Sequence, residues 1–306
     1  MTSPNDFTID LEHLGQPAYV AAQVMITTEG PVLLDTGPGS TLANLHRGLD
    51  RAGIRVSDLR AILLSHIHFD HAGATGLLVE QHPGLEVYVH ERGAVHLIEP
   101  TKLVASAKRV FGADFDRLWG RFLAVPADRV RALKGGETIT IGNRRFEVAY
   151  TPGHAVHHVS YFEAADRTAY VGDCGGIRPP ALPVALPVTP PPDFDLEAWL
   201  ATIDTIEAWQ PRRLFCTHFG FSDDPAFQLA ELRAGLRDWV EITRQLLERD
   251  ATDGERAAAF ERWVLDSLQG KATPEAIRAR AEFSDYQASW YGIARYWRKR
   301  LPPPPS

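Results

Sequence analysis

The sequence predicts an α/β fold that ends in a group of helices. Four short apolar segments have the character of buried strands, and each is followed by residues that can bind a metal ion. Strand ends that meet at one sheet edge form the open site of many α/β proteins, so we expect these four ends to converge. Beyond residue 222 the apolar residues take a helical spacing. We therefore predict a catalytic domain over residues 1–222 and a helical cap over residues 223–306.

The run SHIHFDH, from Ser65 to His71, holds the densest group of candidate ligands. It follows an apolar, strand-like stretch and precedes a predicted helix. Side chains two positions apart on an extended chain face the same side, so His66 and His68 can bind one ion together. Asp70 and His71 lie where the chain turns into the helix and can face a second ion. The positive end of a helix dipole favours an anionic group such as Asp70.

Three other strand-like segments end in a histidine or a carboxylate. They place His154 in a Pro-Gly turn after residues 145–149, Asp173 after residues 169–172, and His218 after residues 214–217. A catalytic metal ion needs more ligands than one loop supplies, and other strands usually provide them. The four segments therefore predict one shared metal site.

In this order, the motifs SHIHFDH, TPGH, VGD and CTHFG resemble those of the metallo-β-lactamase superfamily over residues 18–219. The resemblance implies a four-layer αβ/βα sandwich whose site lies at the edge between two sheets. It also implies three ligand roles: His66, His68 and His154 for a first metal, Asp70, His71 and His218 for a second, and Asp173 as the bridge. Asp35, in the motif LDTG, matches a structural aspartate of the family. We predict that it orients a ligand histidine, with a simple turn role as the alternative.

The donor set predicts two divalent metal ions as cofactors. Imidazole and carboxylate groups suit zinc, which we expect, as well as iron and manganese. A water shared by two ions ionises near neutral pH, and the bridging hydroxide can attack a carbonyl carbon. In this scheme Asp70 orients the water and Asp173 bridges the metals. His157 or His158 would deliver a proton to the leaving group, although both histidines also fit a structural or substrate-facing role.

The bond that is cleaved follows less directly from the motifs. The best match is a glyoxalase-II-like hydrolase of a small thioester or ester. One alternative is an iron dioxygenase resembling persulfide dioxygenases, with His68, His154 and Asp173 as ligands of a single iron. Lactonases of the superfamily usually carry a tyrosine soon after the bridging aspartate, where this chain has Cys174, and true β-lactamases generally lack the bridge. A lactonase and a metal-bearing binding module without activity remain as further alternatives.

Composition indicates a cytoplasmic enzyme with a small-molecule substrate. The 306 residues carry a formal net charge of −7, which argues against a nucleic-acid surface. The N-terminal residues do not read as a secretory leader, and no apolar run suggests a membrane span. The two cysteines, Cys174 and Cys216, are expected to be buried strand thiols. A homodimer is left open.

Two segments are expected to shape access to the site. Residues 178–192 contain seven prolines and must form a stiff, irregular loop, which is a lid, a wall or a passive spacer. Residues 91–121 form a helical insertion that can reach over the site. Helices are predicted over residues 72–81, 196–209, 227–248, 255–268 and 274–300.

The last predicted helix carries six aromatic residues, which are Phe283, Tyr286, Trp290, Tyr291, Tyr296 and Trp297. We expect them to pack the cap onto the sandwich, with an acyl or aromatic pocket as the alternative. The remaining histidines are predicted to be packed or solvated side chains without a ligand role, namely His13, His46, His82, His90 and His96.

Overall fold

Two six-stranded mixed sheets lie face to face in the computed structural model, and helices cover the outer side of each. The structure describes residues 6–180, 182, 184–283 and 286–301, and only the backbone of residues 279–283. This is the predicted four-layer αβ/βα sandwich with helices at the C-terminal end.

The strands and helices are numbered in chain order. The strands are β1 Phe7–Asp10, β2 Ala21–Met25, β3 Val32–Leu34, β4 Ala61–Leu63, β5 Glu86–His90, β6 Val130–Leu133, β7 Thr138–Ile141, β8 Arg144–Tyr150, β9 Val159–Glu163, β10 Thr168–Tyr170, β11 Arg213–Cys216 and β12 Gly220–Ser222. The helices are α1 Leu42–Arg51, α2 Phe69–Ala72, α3 Thr75–Gln81, α4 Glu91–Ile98, α5 Thr101–Phe111, α6 Phe115–Trp119, α7 Leu196–Ala208, α8 Pro225–Leu247, α9 Asp253–Ser267, α10 Pro274–Phe283 and α11 Tyr286–Arg298.

The first sheet runs β1-β2-β3-β4-β5-β6. Its first two pairs are antiparallel, and from β3 to β6 all pairs are parallel. Leu34 pairs with Leu63 in the β3–β4 register, so the chain leaves both strands side by side. As a result, Asp35 and Ser65 emerge next to each other at the carboxyl ends of these strands.

The second sheet runs β12-β11-β10-β9-β8-β7 and is antiparallel except for the pair β10–β11. Tyr170 pairs with Phe215 in that parallel pair, which brings the carboxyl ends of both strands to the same edge. Asp173 and His218 each lie three residues beyond this pair. The end of β8 reaches the same edge, because β8 and β10 both run antiparallel to β9.

Three hydrophobic clusters correspond to the three interfaces between layers. The cluster between the sheets joins residues such as Met25 and Leu63 to Phe146 and Phe215. A second lies between the first sheet and the helices α1, α3 and α4. The third packs α7, α8, α9 and α11 on the second sheet. Since the C-terminal helices share this core with the sheet, the boundary at residue 222 remains a prediction.

The structure corrects one of the predicted helices. The helix expected over residues 72–81 is divided into α2 and α3, because the backbone N–H of Ala74 bonds the carbonyl of Gly37 instead of continuing the ladder. The helix expected over residues 274–300 corresponds to α10 and α11, and its continuity stays a prediction because residues 284 and 285 lie outside the described part. The other three agree within about two residues at each end, and side-chain caps at Asp224 and Thr252 explain the earlier starts of α8 and α9.

No helix in the described part of the chain combines the length and apolar character needed to cross a membrane.

Candidate metal centre

The candidate ligands converge at the edge between the two sheets. His66 and His68 follow β4 of the first sheet, and Asp70 and His71 lie in α2. The second sheet supplies the other three, which are His154 in the β8–β9 loop, Asp173 in a short 3-10 helix after β10, and His218 after β11. The expectation of a single sheet edge is therefore wrong, because β4 belongs to the other sheet. The position between the sheets agrees with what the family resemblance implied.

Three imidazole nitrogens form the first cluster. Nδ1 of His68 lies 2.9 Å from Nε2 of His66 and 2.9 Å from Nε2 of His154. His66 and His154 are almost completely buried. The ring atoms that can bind a single ion therefore point at one another from two different sheets.

The second cluster contains Asp70, His71 and His218. Nε2 of His218 lies 3.3 Å from Oδ2 of Asp70, and Nε2 of His71 lies 3.8 Å from the same oxygen. Asp173 lies between the clusters. Its Oδ2 is 3.4 Å from Nε2 of His154, while its Oδ1 is 3.1 Å from Nε2 of His71. The two carboxylate oxygens of Asp173 thus face different clusters.

In three of the candidate ligand histidines, the second ring nitrogen also has a defined partner. Nδ1 of His154 lies 2.7 Å from the carbonyl oxygen of Val188, and Nδ1 of His218 lies 2.7 Å from that of Tyr19. Nδ1 of His66 is 3.0 Å from Oγ of Ser65. A histidine that donates through one nitrogen presents the lone pair of the other, so these contacts aim Nε2 at the cluster.

Asp35 is a buried carboxylate behind the second cluster, with several hydrogen-bond partners. It accepts hydrogen bonds from the backbone N–H of Ser65 at 2.8 Å and from Oγ1 of Thr217 at 2.7 Å, and its Oδ2 lies 2.7 Å from Nδ1 of His71. Oγ of Ser65 donates to it at 2.8 Å. The geometry agrees with the predicted orienting role rather than with a simple turn residue.

Burial and neighbouring charges shift the histidine pKa values of the two clusters in opposite directions. Burial lowers the pKa of His66, His154 and His68, in the last case to about 3, so these rings are neutral near pH 7. Burial alone would also lower the pKa of His71, but Asp173, Asp70 and Asp35 raise it well above its ordinary value. The first cluster thus presents lone pairs, and the second holds a proton among its carboxylates.

A metal ion fits this donor set. His66 and His154 donate through Nδ1, so Nε2 of each neutral ring carries no hydrogen atom. At most one hydrogen atom, on Nδ1 of His68, then lies among the three facing nitrogens. Nitrogens bound to one zinc ion lie roughly 3.3 Å apart, given bonds of about 2.0 to 2.1 Å and tetrahedral angles. Nε2 of His71 and Oδ1 of Asp173 are buried 3.1 Å apart, yet neither makes a well-aligned hydrogen bond with a described residue. A cation bound beside them would satisfy both atoms.

A cavity of about 640 Å³ lies over the clusters. His68, Asp70, His154, Asp173 and His218 line it. Its walls come from α4, α5 and α6 of the insertion, from residues 187–192 of the proline-rich segment, and from the beginning of α11. The insertion therefore reaches the site as predicted, and the proline-rich segment is a wall rather than a passive spacer.

Comparison with known proteins gives the family. Residues 15–218 match the model of the metallo-beta-lactamase superfamily. The chain belongs to this superfamily. The recognition from SHIHFDH, TPGH, VGD and CTHFG is thereby confirmed.

Relatives within the superfamily are distant. A metallo-beta-lactamase fold-containing protein of Sulfurisphaera tokodaii, ST1585, is 28% identical over 182 residues, which are 57% of this chain and 63% of that protein. A hydroxyacylglutathione hydrolase of Legionella pneumophila strain Paris is 27% identical over 115 residues, covering 38% of this chain and 33% of the relative. The matched parts thus span less than two thirds of either relative.

Solved structures of the superfamily share the fold over almost the whole chain. The metallo-beta-lactamase family protein TTHA1429 of Thermus thermophilus superposes with a TM-score of 0.70 at 21% identity, covering 97% of this chain and 94% of that one. The structure of ST1585 from Sulfolobus tokodaii gives a TM-score of 0.62 at 21% identity, with 94% and 98% covered. At this identity the likeness shows the fold alone.

The two histidines that were predicted to transfer a proton lie in different places. His157 lines the cavity, and its Nδ1 is 3.4 Å from the backbone N of Ile67. His158 is completely buried behind the cluster, with its Nδ1 2.9 Å from Oγ1 of Thr151. The structure brings only His157 to the cavity, so we no longer assign a proton-transfer role to His158.

Most of the other histidines agree with their predicted roles. Cys174 and Cys216 are buried as predicted, but only Cys216 lies in a strand, because Cys174 belongs to the short 3-10 helix after β10. His13 is buried between the rings of Tyr19 and Trp119. His96 is exposed but lines the cavity, which its sequence context did not indicate. His46 and His82 are partly buried, and His90 is buried.

The aromatic residues of the cap divide between the two expected roles. Trp290 and Tyr296 are buried in the core with the second sheet, whereas Tyr286 is buried and also lines the cavity. Trp297 packs against the same core, and Tyr291 is exposed. The side chain of Phe283 lies outside the described part of the chain.

Sequence reasoning predicted the role of Asp35 but missed the other groups that position the ligands. Ser65 and Thr217 each immediately precede a ligand histidine at a strand end, and both donate to Asp35. That repeated pattern was a readable signal, because neighbouring strand residues face opposite sides and the hydroxyls must point away from the metal. The carbonyls of Tyr19 and Val188 carry no such signal, since every residue has one.

Proposed function

We propose that the protein is a metal-dependent hydrolase that cleaves a thioester or ester of a small molecule with two bound divalent ions. The observation that carries the proposal is the pair of ligand clusters joined by Asp173 beneath an open cavity. His66, His68 and His154 would hold the first ion, and Asp70, His71 and His218 the second. Zinc suits these donors, with iron and manganese as alternatives.

Ions bound there would supply a water that ionises near neutral pH and would stabilise negative charge on a carbonyl oxygen. The protein's own groups then position the reaction. Within the second cluster, the side chain of Asp70 is more exposed than those of His71 and His218. Asp70 can therefore also contact water at the cavity surface. Asp173 holds the two clusters at a fixed separation.

His157 is proposed to contact the leaving group as a hydrogen-bond donor. Burial lowers its pKa well below the ordinary value, so the ring is neutral near pH 7. The backbone N–H of Ile67 points to Nδ1, which leaves the proton on Nε2. A neutral imidazole of this tautomer donates one hydrogen bond but has no second proton to give away. The expected role as an acid is therefore replaced by orientation.

The geometry favours the hydrolase over the dioxygenase alternative. That reaction would use His68, His154 and Asp173 as its iron ligands. In the structure, the nitrogens of His68 and His154 converge with that of His66 instead, and the second cluster is complete. The partial matches to hydroxyacylglutathione hydrolases support a thioester as the substrate.

Hydrolysis of a substrate panel tests the proposal. Zinc-, manganese- and iron-loaded protein is assayed with thioesters, oxygen esters and lactones, beside the variants Asp173→Asn and, as a surface control, Asp223→Asn. We expect hydrolysis of a thioester or ester that falls at least about 100-fold in Asp173→Asn and is unchanged in the control. Absence of turnover at full metal loading would contradict the proposal, and oxygen consumption with a persulfide would favour the dioxygenase.

A further inference from the structure

The cavity wall away from the ligand clusters is mainly apolar. Helix α5 contributes Leu103, Ala107, Val110 and Phe111, which follow the i, i+4, i+7, i+8 spacing of a single helix face. Pro187 and the prolines 190–192 of the proline-rich segment also line the cavity. Tyr286 of α11 adds an aromatic ring to the lining.

Charged groups are scarce on this wall. Apart from the ligand candidates, the charged side chains among the described lining residues are Arg92 and Asp193. Glutathione carries two carboxylates and an ammonium group, which one guanidinium and one carboxylate do not match well. A hydrophilic substrate would also leave the face of α5 in contact with water.

We infer that the acyl part of the substrate is bulky and apolar, a medium-chain aliphatic or aromatic acyl group held between α5 and the proline-rich segment. The inference rests on the proposed function and specifies its substrate class. Val110 lines the cavity although 75% of its surface is exposed, so an apolar ligand would cover it. Covering exposed apolar surface is favourable, whereas a short acyl group would not reach along the helix.

The size of the cavity agrees with such a ligand. Pockets for drug-sized ligands measure about 300 to 1,000 Å³ and are lined mainly by apolar groups with a few polar ones. At about 640 Å³ this cavity lies well inside that range. Each additional methylene buried against α5 should raise kcat/KM by about fourfold until the wall is filled.

An acyl-length series with one neutral thiol tests the inference. The substrates are acetyl, butanoyl, octanoyl and benzoyl thioesters of N-acetylcysteamine, so that only the acyl group changes. The variants are Val110→Asn and Val95→Asn. Val95 is a matched control because it is an exposed valine on α4 of the same insertion, 58% exposed, that does not line the cavity.

We expect kcat/KM to rise at least about 100-fold from acetyl to octanoyl in the wild type. Val110→Asn should lower the octanoyl value about tenfold and leave the acetyl value within about twofold, because the added amide must be desolvated only by the longer chain. Val95→Asn should change neither value. A flat acyl profile, or equal effects of the two variants on octanoyl, would overturn the inference.

A binding measurement separates this inference from the proposed function. If the metal-loaded protein hydrolyses none of the thioesters, the proposed function fails. Calorimetry with the octyl and methyl thioethers of N-acetylcysteamine then tests whether the cavity binds an apolar chain. Tighter binding of the octyl compound that is lost in Val110→Asn supports an apolar pocket, and equal binding of both compounds overturns it.

Discussion

Asp35 connects the first sheet, the second sheet and the candidate metal centre through one buried carboxylate. It accepts from Ser65 after β4 and from Thr217 after β11, and it contacts Nδ1 of His71. Its backbone has φ of 50°, in the left-handed region that aspartate and asparagine tolerate better than most residues. The carboxylate thus orders both halves of the site without contacting the ligand cavity.

Replacing this carboxylate by an amide should weaken the second metal site. Asp35→Asn keeps the size and the tolerance of positive φ, but its NH2 group faces three donors. We expect the affinity of the second cluster for metal to fall about 10- to 100-fold and the free energy of unfolding to fall by about 1–3 kcal/mol. Metal titration and urea denaturation measure both, with the surface substitution Asp116→Asn as control. Unchanged affinity would show that Asp35 has no orienting role.

His90 gives the fold a pH-dependent contribution away from the ligand clusters. The ring is buried, stacks on Tyr150 with centroids 4.5 Å apart, and accepts from the backbone N–H of Arg92 at the start of α4. Burial lowers its pKa below 6.5. Because the unfolded state then binds the proton more readily, this contribution is present above pH 6.5 and is lost as the pH falls toward the folded-state pKa.

The variant His90→Asn isolates that contribution. Asparagine can still cap α4 but does not titrate. We expect the difference in unfolding free energy between wild type and variant to shrink between pH 7.5 and 5.5, by at most about 1.4 kcal/mol per pH unit. Urea denaturation at several pH values measures it. A difference that stays constant with pH would contradict the account.

The sequence predicts the candidate ligands more completely than the groups that orient them. The seven candidate ligands were found because each lies in a dense or strand-terminal motif. The orienting role of Asp35 was predicted through the motif LDTG, but its bonds to Ser65 and Thr217 depend on how the strands align in the fold. The Val188 carbonyl could not be predicted, because a backbone acceptor leaves no trace in residue type.

At the level of elements, helix α11 holds the proline-rich segment against the site. Oγ1 of Thr189 donates to the carbonyl of Ser289 at 3.0 Å, and the neighbouring carbonyl of Val188 accepts from His154. Gly292 lies directly against this segment, where a Cβ atom would overlap the carbonyl oxygen of Thr189. A short chain of contacts therefore connects the C-terminal helices to the candidate ligand His154.

Adding a methyl group at this contact should disturb the site from a distance. We expect Gly292→Ala to lower the free energy of unfolding by about 1–3 kcal/mol, as overpacking does, and to reduce metal retention through His154. The control Gly254→Ala lies in α9 with no atom within 4 Å of the added Cβ, so it should be neutral or stabilising by up to about 1 kcal/mol. Thermal unfolding and metal content distinguish them. Equal behaviour of both variants would contradict the coupling.

Elements with a strong local signal were predicted well, and those decided by packing were not. Helices α7, α8 and α9 have clear apolar periodicity and capping residues at Asp195, Asp224 and Thr252. The division between α2 and α3 was missed because it depends on a bond from Ala74 to the distant Gly37. The sequence predicts proline-rich residues to be irregular, but only the fold shows that they form a cavity wall.

For the whole molecule, the site depends on how the two sheets are joined. The first sheet supplies four ligand candidates and the second supplies three, and Asp35 and Asp173 connect the two sets. The pattern of strands alone did not assign them to two sheets. The resemblance to the superfamily implied a site between two sheets, and the sheet topology places the candidate ligands there.

The central claim is that this junction binds two metal ions, and the metal content per chain tests it most directly. Protein purified without added metal or chelator is analysed by elemental mass spectrometry, beside Asp173→Asn. We predict about two ions of zinc, manganese or iron per chain in the wild type and less than one in the variant, which loses the group facing both clusters. A single iron with no second ion, or no metal in either protein, would contradict the account.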